Sequence, residues 1–171
     1  MIHLYTGDGK GKTTAAAGLA VRALGQSWRV VFIQFLKGGE SGELAGLRRL
    51  GASVERLSRP FGFWQNLPPA ERDALQAEHD RLIGLALGLL ATAPERTLVV
   101  LDELTYVVRH RLADGDLIGR LVDAIRTARA EVVVTGRDAG RLAEIADYVS
   151  DVTAVRHPFD RGAAARRGVE F

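Results

Sequence analysis

A glycine-rich turn near the start of the chain carries the residue types best suited to bind phosphate. It lies between a strand-like run, residues 2–6, and an Ala-rich helical run. Glycines let backbone N–H groups approach phosphate oxygens, and a helix N-terminus adds partial positive charge. Lys12 can bridge phosphate oxygens, and the Thr13 hydroxyl can bind Mg²⁺. The turn predicts a nucleoside triphosphate site formed by Gly7, Asp8, Gly9, Lys10, Gly11, Lys12, Thr13 and Thr14.

This phosphate loop, residues 6–14, is one residue shorter than the usual Gly-x4-Gly-Lys-[Ser/Thr] pattern. The usual pattern would place its first glycine at Thr6, whereas the first glycine here is Gly7. The strand before the loop and the helix after it still favour phosphate binding over a turn that only caps a helix. Lys10 is expected at the rim of the site.

Two further strand ends carry charged residues. An apolar run, residues 98–101, leads into Asp102 and Glu103, and another, residues 132–134, is followed by Arg137. Carboxylates at the carboxyl ends of parallel strands face the crevice where α/β sheets bind ligands, so one that neighbours the phosphate loop would reach Mg²⁺ or its waters. The spacing does not decide which carboxylate binds the metal. Arg137 is predicted either to pair with phosphate or to lie on the surface at a helix start.

Strand-like and helix-like segments alternate along the chain. Continuous apolar strands separated by helices are typical of a parallel sheet covered on both faces. We therefore predict one RecA-like phosphate-loop α/β domain over residues 1–171, with a mostly parallel central sheet and helices on both faces. The predicted strands are residues 2–6, 29–36, 53–57, 97–101, 131–135 and 152–156. The predicted helices are residues 12–24, 42–50, 68–90, 116–128 and 141–148.

Composition narrows the class of protein. A chain of 171 residues that is 47% apolar and 26% charged has room for one packed core. It has no cysteine and no apolar run long enough to span a membrane, and its start does not read as a secretory signal, so we expect a cytoplasmic protein without membrane partners. The net charge of +2 gives weak support for nucleic-acid binding. Metal-ligand spacing is absent from the four histidines, His3, His79, His110 and His157.

These features leave the reaction open. A hydrolytic ATPase or kinase would use Glu103 or Asp102 as its base and release phosphate or ADP. A RecA-like motor acting on nucleic acid usually needs more chain than this. A non-catalytic nucleotide switch would have no use for the aromatic loop, residues 59–67, or for the C-terminal tail, residues 156–171.

The order and spacing of seven segments resemble the phosphate-loop type of corrinoid adenosyltransferase, the cob(I)alamin or cob(I)yrinic acid a,c-diamide adenosyltransferases. The resemblance extends over nearly the whole chain, and the tail motif, residues 156–171, has no reason to occur in a generic NTPase. The matching segments are residues 5–14, 34–38, 101–106, 135–137, 146–151, 156–162 and 168–171.

The resemblance implies a reaction and a set of roles. Cobalt(I) of a corrinoid attacks C5′ of ATP and releases triphosphate, with ATP bound in reversed orientation on the shortened loop. Lys12 and the loop would hold the triphosphate. Thr13 and Glu103 would bind Mg²⁺, and Asp102 would support them. Arg22 matches an arginine that the family places near the nucleotide, and His157 lies in the tail motif, where it is a candidate for a position near the nucleotide.

The aromatic loop is the implied corrinoid surface. Similar enzymes are thought to pack aromatic rings beneath the corrin and remove the lower axial ligand, which eases reduction to cobalt(I). The family has a Phe and a Trp separated by one residue, whereas Phe63 and Trp64 are adjacent here. We therefore assign Phe61 and Trp64 first and Phe63 second. The resemblance also implies a cobalt reductant such as a flavoprotein, a homodimer and no nucleic-acid partner.

Overall fold

Runs of apolar residues form a parallel sheet in the computed structural model, which describes residues 1–39, 41–156, 162, 166, 168 and 169. The spatial order of the strands, numbered along the chain, is 3-2-4-5-1-6, and every pairing is parallel. This arrangement confirms the predicted RecA-like phosphate-loop architecture. The strands are β1 (Ile2–Thr6), β2 (Arg29–Gln34), β3 (Ser53–Arg56), β4 (Thr97–Asp102), β5 (Glu131–Thr135) and β6 (Tyr148–Asp151).

Helices cover both faces of the sheet, as predicted, because side chains alternate along each strand. On β2, Val31 and Ile33 join one apolar cluster and Val30 and Phe32 join another. The first cluster includes residues of the third, fourth and fifth helices, and the second includes residues of the first two. The helices are α1 (Lys12–Gly25), α2 (Gly42–Arg49), α3 (Pro69–Thr92), α4 (Leu104–His110), α5 (Gly115–Thr127) and α6 (Leu142–Ile145).

Local sequence explains several of the helix boundaries. Alanine has the highest helix propensity, and small Ala16 and Ala20 let α1 pack closely on the sheet. Pro69 occupies the first turn of α3, where its missing N–H costs nothing. The Asp114 carboxylate accepts hydrogen bonds from the backbone N–H groups of Asp116 and Leu117, both at 3.0 Å, and so caps α5.

Three predictions about elements were wrong. The last strand is β6 rather than residues 152–156, and the helix before it shortens to α6. All four β6 residues are exposed, so no buried side chain marked the position of this edge strand. The second strand ends at Gln34, two residues earlier than predicted, because the backbone turns sharply at Leu36, where φ is 64°. In addition, the helix α4, which begins directly after the acidic pair, was not among the predicted elements.

The topology brings the predicted charged residues to one edge of the sheet. Parallel strands end together, so the phosphate loop after β1, the acidic pair after β4 and Arg137 after β5 share that edge. The sequence suggested that the loop and the acidic pair follow adjacent strands. In the structure they do not, because β5 lies between β1 and β4. The residue that ends β5, Thr135, therefore lies between the two motifs.

Candidate active site

The phosphate loop is held against the edge strand by its own backbone. Gly7 has a φ of 95°, and a Cβ there would lie 2.0 Å from Asp151 Oδ1, so only glycine fits. The Gly9 N–H donates to the Val152 carbonyl oxygen at 2.6 Å. Gly11, with a φ of 126°, immediately precedes α1. The three glycines thus let the loop follow a tight path between β6 and the start of α1.

Lys12 is the first residue of α1, and its side chain curls back into the loop. Its ammonium is buried and donates to the carbonyl oxygens of Gly7 at 2.5 Å and Gly9 at 2.8 Å. Burial lowers the pKa of Lys12, and the positive charge of Arg137 lowers it further, against the opposing effect of Glu103 and other carboxylates. An anion beside this ammonium would stabilise its charged form, and a phosphate group would supply that anion.

Asp102 ends β4 and is the centre of a buried polar network. It is fully buried, and its Oδ1 accepts hydrogen bonds from the hydroxyls of Thr13 at 2.9 Å and Thr135 at 2.6 Å. Its Oδ2 accepts from Gln34 Nε2 at 2.9 Å. A buried carboxylate requires donors of this kind. Asp102 therefore faces Thr13 from beneath rather than the open cleft.

Glu103 is turned towards the open side of the site. It has a φ of 63°, in the left-handed region that glutamate rarely adopts, and its N–H donates to Thr135 Oγ1 at 3.0 Å. Its Oε1 lies 3.9 Å from Lys37 Nζ. Burial raises the pKa of Glu103, the charge of Asp102 raises it further, and Lys37, Lys12 and Arg137 oppose the shift. A cation beside this carboxylate would stabilise its ionised form.

The oxygen ligands here fit Mg²⁺. Mg²⁺ is usually bound by one or two carboxylates together with substrate phosphates and waters. The Thr13 hydroxyl, the Glu103 carboxylate and Asp102 behind them form such a set. Across the described residues, no group of three or more His, Asp or Glu side chains could hold a metal ion. Substrate phosphates and waters would be the other ligands of a Mg²⁺ bound here.

One cleft collects most of the predicted nucleotide residues. It has a volume of about 510 Å³, within the usual range for ligand sites. Gly7 lies behind the cleft in the loop, and Asp102 lies beneath it. Arg22 lies in the last turn of α1, roughly 15 Å along the helix from Lys12, and is exposed. The predicted residues that line the cleft are Asp8, Gly9, Lys10, Gly11, Lys12, Thr13, Thr14, Glu103 and Arg137.

A second cleft of about 470 Å³ contains the three predicted aromatic residues. Phe61 and Trp64 are half-buried and pack against the main apolar cluster, whereas Phe63 is 82% exposed. The two clefts adjoin each other, because they share three lining residues with charged side chains. The shared residues are Lys37, Glu103 and Arg137.

Tyr106 connects the aromatic loop to the acidic pair. It lies on the first turn of α4, three residues after Glu103, and its hydroxyl accepts hydrogen bonds from Trp64 Nε1 at 3.3 Å and Gln65 Nε2 at 3.4 Å. The His110 ring lies 4.3 Å from the Tyr106 ring and 5.1 Å from the Trp64 ring between centroids. The position of Trp64 therefore depends on α4, the helix that the acidic pair begins.

Only part of the tail motif is described. Lys10 Nζ donates to the Val169 carbonyl oxygen at 2.9 Å, and Gly168 and Val169 line the phosphate cleft. The tail thus reaches the rim of the site, on the side of the loop where Lys10 was expected. His157 lies outside the described residues.

Comparison with known proteins decides the family. A profile described as ATP:corrinoid adenosyltransferase BtuR/CobO/CobP matches residues 1–171. The chain belongs to this family. It is 39% identical to a corrinoid adenosyltransferase of Pseudomonas aeruginosa over 100% of this chain and 83% of that protein. It is 35% identical to the corrinoid adenosyltransferase CobA of Salmonella typhimurium over 100% of this chain and 85% of that protein.

In this member of the corrinoid adenosyltransferase family, the sequence analysis did not identify the residues that support the site. Gln34 and Thr135 lie in two segments that carry the family resemblance, residues 34–38 and 135–137, but no role was assigned to either residue. Tyr106 lies on a helix that the sequence did not predict. Lys37 was visible as one of only three lysines among 23 basic residues, but its spacing from the loop indicated no role.

Proposed function

We propose that this chain transfers the 5′-deoxyadenosyl group of ATP to the cobalt of a corrinoid. Cobalt(I) donates an electron pair to C5′ and forms a Co–C bond, and cobalt becomes formally cobalt(III). The C5′–O bond breaks, and its electron pair leaves with inorganic triphosphate. Membership of the ATP:corrinoid adenosyltransferase family supports both substrates. Release of triphosphate, and service in synthesis or salvage of adenosylcobalamin, are part of the proposal.

The observation that carries this proposal is that the two clefts adjoin each other and share charged residues. A phosphate cleft alone would suit an ATPase or a kinase. Here it shares Lys37, Glu103 and Arg137 with a cleft lined by Phe61 and Trp64. Such an aromatic surface suits a large flat ligand. A nucleotide in one cleft and a corrin ring in the other would meet at the shared residues.

A reversed orientation of ATP fits this arrangement. C5′ must face the aromatic cleft for cobalt to reach it. A hollow of about 540 Å³ lies on that side of the loop, lined in part by Gly7, Asp8, Tyr106 and Arg137. It offers room for the nucleoside while the loop and Lys12 hold the triphosphate.

The chain's task in the reaction is alignment and charge stabilisation. Cobalt(I) is already a strong nucleophile, so no residue has to remove a proton from it. Lys12, Thr13 and Arg137 would hold the triphosphate and stabilise the charge that builds on it as the C5′–O bond breaks. Thr13 and Glu103 would hold Mg²⁺, with Asp102 fixing the Thr13 hydroxyl. When bound, Mg²⁺ would supply charge neutralisation for the leaving triphosphate.

Replacing Trp64 by alanine should impair turnover from cobalt(II) corrinoid more than ATP affinity. The aromatic cleft would favour the form of the corrinoid that is easier to reduce, and each ~59 mV of potential is worth about tenfold in equilibrium. We expect the rate from cobalt(II) corrinoid to fall about tenfold or more, on that same scale. Kinetics started from cobalt(II) and from chemically reduced cobalt(I), with ATP titrations beside them, measure the difference.

Trp64→Phe is the matched control, because it keeps an aromatic ring and removes the hydrogen bond to Tyr106. It should retain most of the activity. An equal loss of cobalt(II) turnover and ATP affinity in the alanine variant would exclude the role proposed for Trp64.

The wider assignments are also proposals. They comprise a cytoplasmic location, a homodimer and a reductant such as a flavoprotein that supplies the electron for cobalt(II). No helix among the described residues is long and apolar enough to cross a membrane.

An anaerobic assay with ATP, Mg²⁺ and chemically reduced cob(I)alamin tests the proposed function. We expect a light-sensitive adenosyl-cobalt spectrum with one triphosphate released for each corrinoid converted. Formation of ADP and phosphate with an unchanged corrinoid spectrum would instead establish a hydrolase that uses the same phosphate loop.

A further inference from the structure

Lys37 lies where the two clefts meet. Its side chain is 46% exposed, it lines both clefts, and its Nζ is 3.9 Å from Glu103 Oε1. The bond that breaks in the proposed reaction joins C5′ to a phosphate oxygen, so it also has to lie at this junction. A cation at the junction is in the right place to stabilise the charge that develops on the leaving oxygen.

The backbone before Lys37 is strained. The Lys37 N–H donates to the Phe35 carbonyl oxygen at 2.8 Å, which closes a three-residue turn centred on Leu36. Leu36 has a φ of 64°, so this is the γ-turn form with positive φ, which is rare and strained. Strained turns of this kind persist only where surrounding contacts hold them. Without the turn, β2 would continue in an extended conformation and Lys37 would point elsewhere.

His79 supplies the contacts that hold this turn. It is fully buried on α3, and its Nε2 accepts a hydrogen bond from the Leu36 N–H at 3.4 Å. Its Nδ1 lies 2.8 Å from the Leu112 carbonyl oxygen and must donate to it, which leaves Nε2 unprotonated as an acceptor. Its ring packs 6.0 Å from the Phe35 ring. Burial also lowers the pKa of His79, which favours this neutral form.

The segment after Lys37 is fixed as well. A Cβ on Gly38 would lie 1.9 Å from the Arg59 carbonyl oxygen, so this glycine packs directly on the backbone that begins the aromatic loop. Lys37 is therefore held from one side by the turn at Leu36 and from the other by Gly38. The loop that carries it has little freedom to move without disturbing the aromatic cleft.

We propose that Lys37 is a further catalytic residue, which contacts the phosphate attached to C5′, and that His79 is the positioning residue that places it there. The inference rests on the proposed adenosyl transfer and adds a cation that stabilises its leaving group. His79 touches no substrate and acts only through the turn at Leu36.

A double-mutant cycle tests both roles. Lys37→Met should lower kcat for adenosyl transfer by about 100-fold, the usual loss on removing one group that stabilises a developing charge. His79→Leu should lower kcat about tenfold, but should have no further effect when added to Lys37→Met, because it acts through the same side chain. Lys37→Arg and His79→Gln should restore most of the activity, since they keep the cation and the pair of hydrogen bonds.

Inorganic triphosphate supplies a readout that does not depend on transfer. Calorimetry should show weaker binding to Lys37→Met and to His79→Leu, and the double variant should bind no more weakly than Lys37→Met. Leu90→Ala is the control for lost stability, because Leu90 is buried near the other end of α3. It should lower the unfolding temperature and leave kcat and triphosphate binding unchanged.

The outcomes separate the two proposals. The role of His79 is wrong if His79→Leu lowers kcat or triphosphate binding by the same factor in the parent chain and in Lys37→Met. The role of Lys37 is wrong if Lys37→Met changes neither kcat nor triphosphate binding. If the parent chain transfers no adenosyl group but the binding cycle behaves as expected, the transferase is wrong and the coupling of His79 to Lys37 stands.

Discussion

Replacing Lys12 by methionine should lower kcat/KM for adenosyl transfer by at least about 100-fold. The ammonium is buried in the phosphate loop, where it donates to the carbonyl oxygens of Gly7 and Gly9, and a bound triphosphate would place an anion in direct contact with it. Methionine keeps most of the apolar length of the side chain, so the fold should be retained. Steady-state kinetics with cob(I)alamin, together with thermal unfolding, measure the two effects separately.

Lys10→Met is the matched control for this prediction. Lys10 belongs to the same loop, but its exposed ammonium donates to the Val169 carbonyl oxygen at the rim of the cleft. Its replacement should reduce activity by less than about tenfold, the scale of one exposed ionic contact. Equal losses in the two variants would show that Lys12 acts only through the net charge of the loop.

Replacing Asp102 by asparagine should lower Mg²⁺-dependent activity by about 100-fold, as for other groups that hold charge in a transition state, while the fold is kept. The asparagine oxygen can accept from the hydroxyls of Thr13 and Thr135. Its NH₂ group would face Gln34 Nε2, but a flip of the Gln34 amide would turn Oε1, which has no partner among the described residues, to accept from that NH₂ group. The substitution thus removes the charge and spares the network.

Magnesium titrations of activity and chemical denaturation measure the two consequences. We expect a higher Mg²⁺ requirement in Asp102→Asn and a change in the free energy of unfolding of less than about 2 kcal/mol, the scale of one altered buried hydrogen bond. The double variant Asp102→Asn with Gln34→Glu, which can pair with the new NH₂ group, controls for imperfect packing. An unaltered Mg²⁺ requirement in both variants would contradict the role given to Asp102.

Much of the fold could be predicted from the sequence, because buried parallel strands are continuously apolar and the helices between them are amphipathic or Ala-rich. The exceptions have physical causes. The edge strand β6 is exposed along its whole length, so nothing distinguished it from the similar run that follows it. The helix α4 is short, and Glu103, the residue just before it, has a left-handed backbone conformation that local propensity does not favour.

Some residues of the candidate site could likewise be predicted from the sequence, and others could not. Lys12, Thr13, Asp102 and Glu103 were predictable because a phosphate loop and an acidic strand end are local patterns with a physical meaning. Their partners come from elsewhere in the chain and could not be read locally. Thr135 reaches Asp102 only because β5 lies between β1 and β4, and the link between His79 and Lys37 spans α3 and the turn after β2. Arg22 matched a family pattern, but it is exposed in the last turn of α1 and does not line the cleft.

The most direct test of the account is the fate of C5′ itself. A single turnover of [5′-¹³C]ATP with cob(I)alamin and Mg²⁺ under anaerobic conditions can be followed by NMR of the corrinoid product. Adenosyl transfer predicts that the labelled carbon becomes bonded to cobalt, with one inorganic triphosphate formed for each labelled corrinoid. Recovery of the label in ATP, ADP or another free nucleotide, with the corrinoid unlabelled, would contradict the central claim.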